Sequence, residues 1–319
     1  MQIIAGDVGG TKTLLQVVEI GKGSGNVIRE QRFESGGFAT FEALLGAFIG
    51  DATGPLDAAC FAVAGPVFGT HAEVTNLGWQ IETPALAARF RIGRVELIND
   101  FYAVALGVPL LAPADLLSLH AGERQQGAPI AILGAGTGLG QAIVTFAHGG
   151  EGGEAAWGVI ASEGGHADFA PQDEEQTRLW SHLHGRYGHV SWERLLSGMG
   201  VVNIFTFLGG ATEDPAEVAR LAAEGDARAV HAFEIFVDIY GAEAGNMALR
   251  VLSRGGVFLA GGIAAKNLPF FTDGRFVAAF LRKGRFQDML RAMPIDLIMN
   301  EKVGLIGAAE MARRVAAAE

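Results

Sequence analysis

Asp7-Val8-Gly9-Gly10-Thr11 sets a carboxylate at the end of an apolar run and follows it with two glycines and a hydroxyl. Such a bend can aim backbone N–H groups at phosphate oxygens while the acid holds a magnesium ion through water. The commoner nucleotide loops fail on spacing. A Walker A loop closes on Gly-Lys-Ser/Thr, whereas Lys12 follows Thr11; a Rossmann fingerprint needs a third glycine where Gln141 stands and a helix after the loop. A second glycine stretch, Gly134 to Gly140 with Gly136, Thr137 and Gly138 at its centre, can cradle phosphates in the same way, because backbone without side chains approaches a ligand closely. Taken singly, each stretch is equally a tight turn. The pairing of the two points to a nucleotide's phosphates.

Asn99-Asp100 closes the apolar run VELI and precedes an aromatic-rich helix, the strand end at which α/β folds place ligands. A carboxylate there can take a hydroxyl proton as the oxygen attacks phosphorus, and the neighbouring amide can fix the alcohol by donating and accepting. An ordinary helix cap is the alternative reading. Glu163-Gly164-Gly165-His166, with Asp168 beyond and Glu193 at the start of an expected helix, makes a set suited to a polyol, whose hydroxyls want donors and acceptors in fixed directions. His166, His182, His184 and His189 beside acids also allow a zinc reading, but no HExxH or cysteine partners accompany them, and the last three read as helix decoration.

The elements that must position these groups follow from periodicity. Ile3 to Val8 and Thr13 to Ile20 read as strands around the first bend, and PIAIL and QAIVTF as strands around the second, so the chain reads as a duplicated unit, one per domain. Between them lie strand-like segments at Ala58 to Ala64 and Val95 to Ile98, with helical ones at Phe41 to Ile49 and Phe101 to Leu106. Later, Asp173 with Gln176 reads as a capping box opening a helix through Tyr187, and Asp226 to Leu252 has helical spacing. Gly256 to Ala260 reads as a strand ending in Gly261 and Gly262, and Gly304 to Ala318 as an Ala-rich helix. No low-complexity linker appears, so short ordered crossings are expected to join the domains.

Composition narrows the function classes. A chain of 319 residues suggests two domains, and its 50% hydrophobic and 18% charged residues fit a folded protein. Lys and Arg number 24 against 35 Asp and Glu, a net charge of -11 that disfavours nucleic-acid or anionic-membrane partners. The single cysteine, Cys60, has strand-like apolar flanks and reads as core packing. No signal-peptide pattern opens the sequence, and its richest apolar stretch is broken by Pro109 and Pro113, so a cytoplasmic location is expected. The 46 glycines are about twice the usual ~7% share, as close turns and close backbone approaches would require.

Together, DVGGT, LIND, GAGTGLG, EGGHADFAP, HVSWERLLSG and GVFLAGGI resemble, in the same order, the bacterial glucokinases of the hexokinase and actin-like ATPase fold, in the branch separate from the repressor-type sugar kinases. The resemblance implies an α/β actin-like ATPase (ribonuclease H-like) fold, with duplicated βββαβα units around a central cleft that closes over its substrates. Residues 1–110 would form a small N-terminal domain completed by the helix 301–319, and 111–300 a large one. It implies transfer of a phosphoryl group from ATP to the 6-hydroxyl of D-glucose, with Asp100 as general base and Asn99, Asp100, Glu163, His166 and Glu193 gripping the sugar. Gly6, Asp7, Val8, Gly9, Gly10, Thr11, Gly136, Thr137 and Gly138 would hold the nucleotide and Asp7 the Mg2+. Gly261 and Gly262 match the family's adenosine motif and equally an ordinary turn. A homodimer is implied. Lys12 stands where relatives often carry Asn, and its role stays open between a phosphate contact and a snorkelling side chain. The cysteine cluster of the repressor-type kinases is missing, and with DVGGT at residue 7 no upstream helix-turn-helix is expected. A kinase for another hexose or amino sugar, and a non-catalytic sugar sensor, are the rival functions.

Overall fold

QIIAGDV and KTLLQVVEI carry apolar residues at more than half of their positions, and each becomes a strand: β1 (Gln2–Val8) and β2 (Lys12–Ile20) pair antiparallel, with Val8 opposite Thr13. The structure is a computed structural model and describes residues 1–21, 25–50, 55–74, 76–147 and 156–318. Strand β3 (Gly25–Glu34) forms the outer edge beyond β2. Helix α1 (Phe41–Ile49), opened by Thr40, whose hydroxyl accepts from the Ala43 N–H, leads to β4 (Leu56–Val63), which runs parallel to β1. Three short strands follow, β5 (Val67–Phe68), β6 (His71–Val74) and β7 (Trp79–Glu82), in a small antiparallel sheet that the sequence pattern does not announce. Helix α2 (Thr83–Phe90), β8 (Ile92–Asn99) and α3 (Asp100–Gly107) complete this stretch. The sheet order is β3-β2-β1-β4-β8. Strand β4 is buried over seven of its eight residues, as a central parallel strand covered on both faces must be, and Cys60 lies in it fully buried. Burial pushes its thiol well up, so it packs as a small apolar group.

The second sheet repeats the plan. Strands β9 (Leu116–His120), β10 (Ile130–Ala135), β11 (Leu139–Ala147) and β12 (Ala156–Ser162) precede the helices α4 (Glu174–Tyr187), α5 (Gly198–Phe207), α6 (Pro215–Ala223) and α7 (Ala227–Val251). Strand β13 (Val257–Ala260), the short helices α8 (Gly262–Lys266), α9 (Leu268–Thr272), α10 (Arg275–Leu281) and α11 (Gln287–Arg291), and β14 (Ile295–Ile298) follow. The order is β12-β11-β10-β13-β14-β9. Its first five strands reproduce the first sheet's order and sense, three antiparallel strands followed by two parallel additions, so the duplicated glycine bend belongs to a duplicated unit. Strand β9 is the addition, antiparallel on the far edge.

The chain divides into two units, Met1–Ala112 with Asn300–Glu319, and Pro113–Met299; Glu319, the last residue of the expected terminal helix, lies outside the described residues. Each unit has its own apolar core, one around Phe41, Phe48 and Phe61, the other around Trp192, Phe233 and Tyr240. Helix α12 (Val303–Ala317) belongs to the first unit and packs on α3, β1 and β4. Glycine permits that crossing: a Cβ at Gly307 would collide with the Ala103 carbonyl of α3. Among the described residues no helix is long and apolar enough to cross a membrane.

Half of the expected capping box forms. Asp173 accepts from the Gln176 N–H at 2.8 Å, but Gln176 Oε1 accepts from Gln172 rather than returning to Asp173. The second glycine stretch is also shorter than its composition suggests. Gly134 and Ala135 belong to β10 and Leu139 and Gly140 to β11, which leaves only Gly136 to Gly138 as the bend.

Candidate active site

In the first unit the ladder registers align the strand ends. Val8 of β1 pairs with Val63 of β4, which pairs with Asn99 of β8, so Asp7 and Asp100 arrive at the same edge of the sheet, at the carboxyl ends of its parallel strands. Gly6 and Val8, on either side of Asp7, are packed into the sheet. Val8 is fully buried, and a Cβ on Gly6 would lie 2.6 Å from Leu15 Cδ2 and 2.7 Å from Phe61 Cδ1, so both residues pack the sheet that presents Asp7. The bend after Asp7 is closed by the Gly9 N–H donating to the Lys12 carbonyl at 3.0 Å. That donor is spent on the turn, which leaves the Gly10 and Thr11 amides as the ones the bend offers. Ser35 braces it: its hydroxyl donates to the Gly9 carbonyl at 2.8 Å and its N–H to the Thr11 carbonyl at 2.9 Å. Lys12 stands exposed opposite Glu34.

The helix-cap reading of Asn99-Asp100 is met in the structure. Asn99 caps α3, its Oδ1 accepting from the Phe101 and Tyr102 N–H groups at 2.9 and 3.2 Å, and Asp100 Oδ1 accepts from Phe101 at 2.7 Å. The cap fixes both side chains at the helix N-terminus, whose dipole favours a carboxylate. Asp7 is set differently: burial first, then the charge of Asp100, pushes its carboxyl up to about 6. Two residues the sequence reading missed join this end. Gly304 of α12 passes Asp7 so closely that a Cβ there would sit 3.4 Å from its Oδ2, and the exposed Asn76, between β6 and β7, brings its amide nitrogen within 3.2 Å of where a Gly10 Cβ would be. Neither carries a sequence signal, since Asn76 depends on a hairpin of two very short strands.

In the second unit the Gly136–Gly138 bend is closed by the Gly136 N–H donating to the Gly138 carbonyl at 2.9 Å, and the Gly198 N–H at the start of α5 donates to the Gly136 carbonyl at 2.8 Å. Gly261 stands beside it. Strand β13 ends one residue short of β10, Gly261 takes a φ of +87°, and a Cβ on it would collide with the Ala135 carbonyl, so only glycine serves there and Gly262 begins a helix next to the bend.

Glu193 is not at the start of an α-helix; it sits in a single tight turn, Trp192–Arg194, capped by Ser191. The turn is anchored by Trp192, buried edge-on to Phe169 with ring centroids 5.1 Å apart. Glu193 Oε2 accepts from the Leu139 N–H at 2.9 Å, and its Oε1 lies 3.9 Å from His166 Nδ1. His166 Nε2 is 3.9 Å from Glu163 Oε2, and the Glu163 side chain is 92% exposed. The acid, the imidazole and the second acid are therefore gathered along one side of the bend. Asp168 is engaged elsewhere, 2.8 Å from His189, while His184 stacks on Trp180 and His182 leans on Phe207. Among the described residues no group of three or more His, Cys, Asp or Glu is placed to hold a metal ion.

The sequence matches the glucokinase family over residues 4–315. A glucokinase of Nostoc sp. is 41% identical, with 98% of this chain and 99% of that protein covered. Among solved structures, a glucokinase from an Antarctic psychrotroph superposes with a TM-score of 0.86 at 27% identity, over 98% of this chain and 99% of that one. A ROK family glucokinase from Streptomyces griseus, in complex with glucose and AMPPNP, superposes at 0.62 and 21% identity, over 98% of this chain and all of that one. The repeated five-strand sheets and these likenesses together make this the actin-like ATPase fold of the sugar kinases. Matched across nearly its whole length, the chain belongs to the glucokinase family.

Proposed function

We propose that this protein is a glucokinase that transfers the γ-phosphoryl group of ATP to the 6-hydroxyl of D-glucose. The observation that carries this reading is Glu193, one oxygen of which anchors Leu139 beside the glycine bend while the other faces His166. A single carboxylate thereby ties a phosphate-type bend to a polyol-type set. The family's named activity and the Streptomyces griseus relative's glucose and AMPPNP support the same substrates.

In the transfer, the glucose O6 attacks the γ-phosphorus, its proton passes to Asp100, and the bridging oxygen leaves with ADP. Asn99, Asp100, Glu163, His166 and Glu193 hold the sugar hydroxyls; the cap on α3 engages Asn99 through Oδ1 and leaves its NH2 as the group for a hydroxyl. The Gly10 and Thr11 amides, Gly136 to Gly138, and Gly261 with Gly262 receive the nucleotide. Most of the acceleration in such transfers comes from positioning and charge stabilisation, with general-base help adding about 10²- to 10⁴-fold. Magnesium fits this donor set, because Asp7, crowded by burial and by the Asp100 charge, is a carboxylate that a divalent cation relieves. When bound with the nucleotide, Mg2+ draws charge from the phosphates.

The two domains, 1–110 with 301–319 and 111–300, close over the substrates, which keeps water from the γ-phosphate until sugar is present. The working form is a cytoplasmic homodimer. The test is ADP release over a panel of hexoses and amino sugars, with a sugar-free control. Turnover with glucose well above every other sugar, and slow hydrolysis without sugar, are expected; preference for another epimer would reassign the substrate.

A further inference from the structure

Two polar side chains on α7 are fully buried, and the transfer chemistry uses neither. The Tyr240 hydroxyl accepts from the Ala135 N–H at 3.2 Å and donates to the Leu133 carbonyl at 3.3 Å. Amides of odd-numbered β10 residues face β13, as the Ala131 N–H donating to Gly256 at 3.1 Å demonstrates. The β10–β13 ladder stops at the pair Gly134 and Ala260, and Gly261 turns away at a φ of +87°. Ala135 is thus left beyond the ladder, one residue before the Gly136–Gly138 bend, and the phenol stands in for the strand. A buried N–H without a partner would otherwise cost its full desolvation.

One turn along α7, Glu243 accepts from Gln141 Nε2 at 3.1 Å, from Asn246 Nδ2 at 3.0 Å and from Arg250 Nη1 at 2.9 Å. Gln141 lies on β11, directly after the bend's return strand begins, and is buried. Its other amide atom, Oε1, presses on Gly164, where a Cβ would collide with it. The chain of contacts runs from the helix through Gln141 to the turn that carries Glu163 and His166.

We propose that the Tyr240–Glu243 turn of α7 is a positioning brace with two separate arms, Tyr240 setting the nucleotide bend through β10 and Glu243 setting the sugar turn through Gln141. The proposal rests on the assignment of nucleotide and sugar to those two segments. Neither α7 residue touches a substrate, so the arms are distinguished by which substrate's KM they govern.

The experiment compares the full-length wild type with Tyr240→Phe, which removes one oxygen and keeps the ring packing, and Gln141→Met, which keeps chain length and removes the amide. Tyr240→Phe is expected to raise the KM for ATP about fivefold or more with the glucose KM within about twofold, and Gln141→Met to do the reverse. A loss of general stability would move both constants together. If either variant leaves its own substrate's KM within twofold of wild type, or shifts both alike, the brace is wrong. A wild type without ATP-dependent glucose phosphorylation overturns the functional reading and the brace with it, whereas an active wild type whose variants fail to split overturns the brace alone. Hydrogen exchange in the wild type supplies a readout that needs no variant to fold: the Ala135 amide should be protected as strongly as that of Ala131, and exchange as fast as the exposed Thr137 amide would overturn the Tyr240 arm.

Discussion

Asp100 presses its charge on Asp7: with burial as the larger cause, it holds the Asp7 carboxyl at about 6 instead of 3.8. An ionised carboxylate is thereby kept where folding alone would not choose it. The strain is electrostatic, and it gives the first prediction.

Asp7→Asn should stabilise the fold at the expense of activity. Because the folded carboxyl is raised above its unfolded value, ionising it opposes folding; the penalty is absent below 3.8, grows between 3.8 and about 6, and is complete above that. A displacement of that size corresponds to about 3 kcal/mol. Urea denaturation at pH 8 should show a gain approaching that figure for the variant, and at pH 4 almost none. A gain independent of pH would mean that Asp7 is not the strained group.

Asp100→Asn should leave folding and glucose binding roughly intact, because an amide oxygen can keep the hydrogen bond to Phe101 and the other sugar contacts remain. Turnover should fall by about 10²- to 10⁴-fold, the range for loss of a general base. Steady-state kinetics with glucose titration decides this, and a near-normal kcat removes Asp100 from the base role.

Glu193 serves two neighbours, so its variants should separate them. Glu193→Gln retains an oxygen for the Leu139 N–H, and is expected to raise the glucose KM roughly tenfold while sparing ATP. Glu193→Ala strands that N–H, and both KM values should rise. Identical profiles for the two variants would show that Glu193 does not support the bend.

Stability should also carry a histidine signature. His231 Nδ1 lies 3.0 Å from Glu234 and Nε2 3.1 Å from Glu175, a pair of carboxylate contacts that only the protonated ring satisfies in full. The Glu234 hydrogen bond chiefly, against partial burial, and then Glu175 raise its pKa. The contribution is therefore complete below 6.5 and is lost as pH rises through the raised folded value. With the side chain 41% exposed, solvent screening holds it to no more than about 1 kcal/mol. His231→Ala should cost measurably more stability at pH 5.5 than at pH 9 in denaturant titrations; an equal cost at both would assign His231 to packing alone.

Much of the architecture was legible because its signals are local. Apolar runs marked β1, β2, β4, β10 and β11, a capping pair marked α4, helical spacing marked α7, and the two glycine bends marked the repeat. Asp173 caps where it was expected to, since capping needs only a side chain and an amide three residues on; Asp226, read only as the start of a helical spacing, also caps its helix. What escaped was non-local. Glu193 was expected at a helix start, but its tight turn depends on Trp192 burying against Phe169, a contact 23 positions apart that no window reveals. Ser35, Asn76, Tyr240 and Gln141 are single residues with no motif around them, and only the folded chain gives them partners.

Helix α12 begins at Val303, yet it fills in against β1, β4 and α3, elements that leave the ribosome about two to three hundred residues earlier. During synthesis the first sheet must wait with its Ala103 flank and the Asp7 edge uncovered while the contiguous second unit, Pro113–Met299, already has every strand of its own sheet. The order of emergence is thus opposite to the order of completion, and a nascent chain halted at residue 299 would carry a finished carboxyl-side body behind a sheet still awaiting its cover.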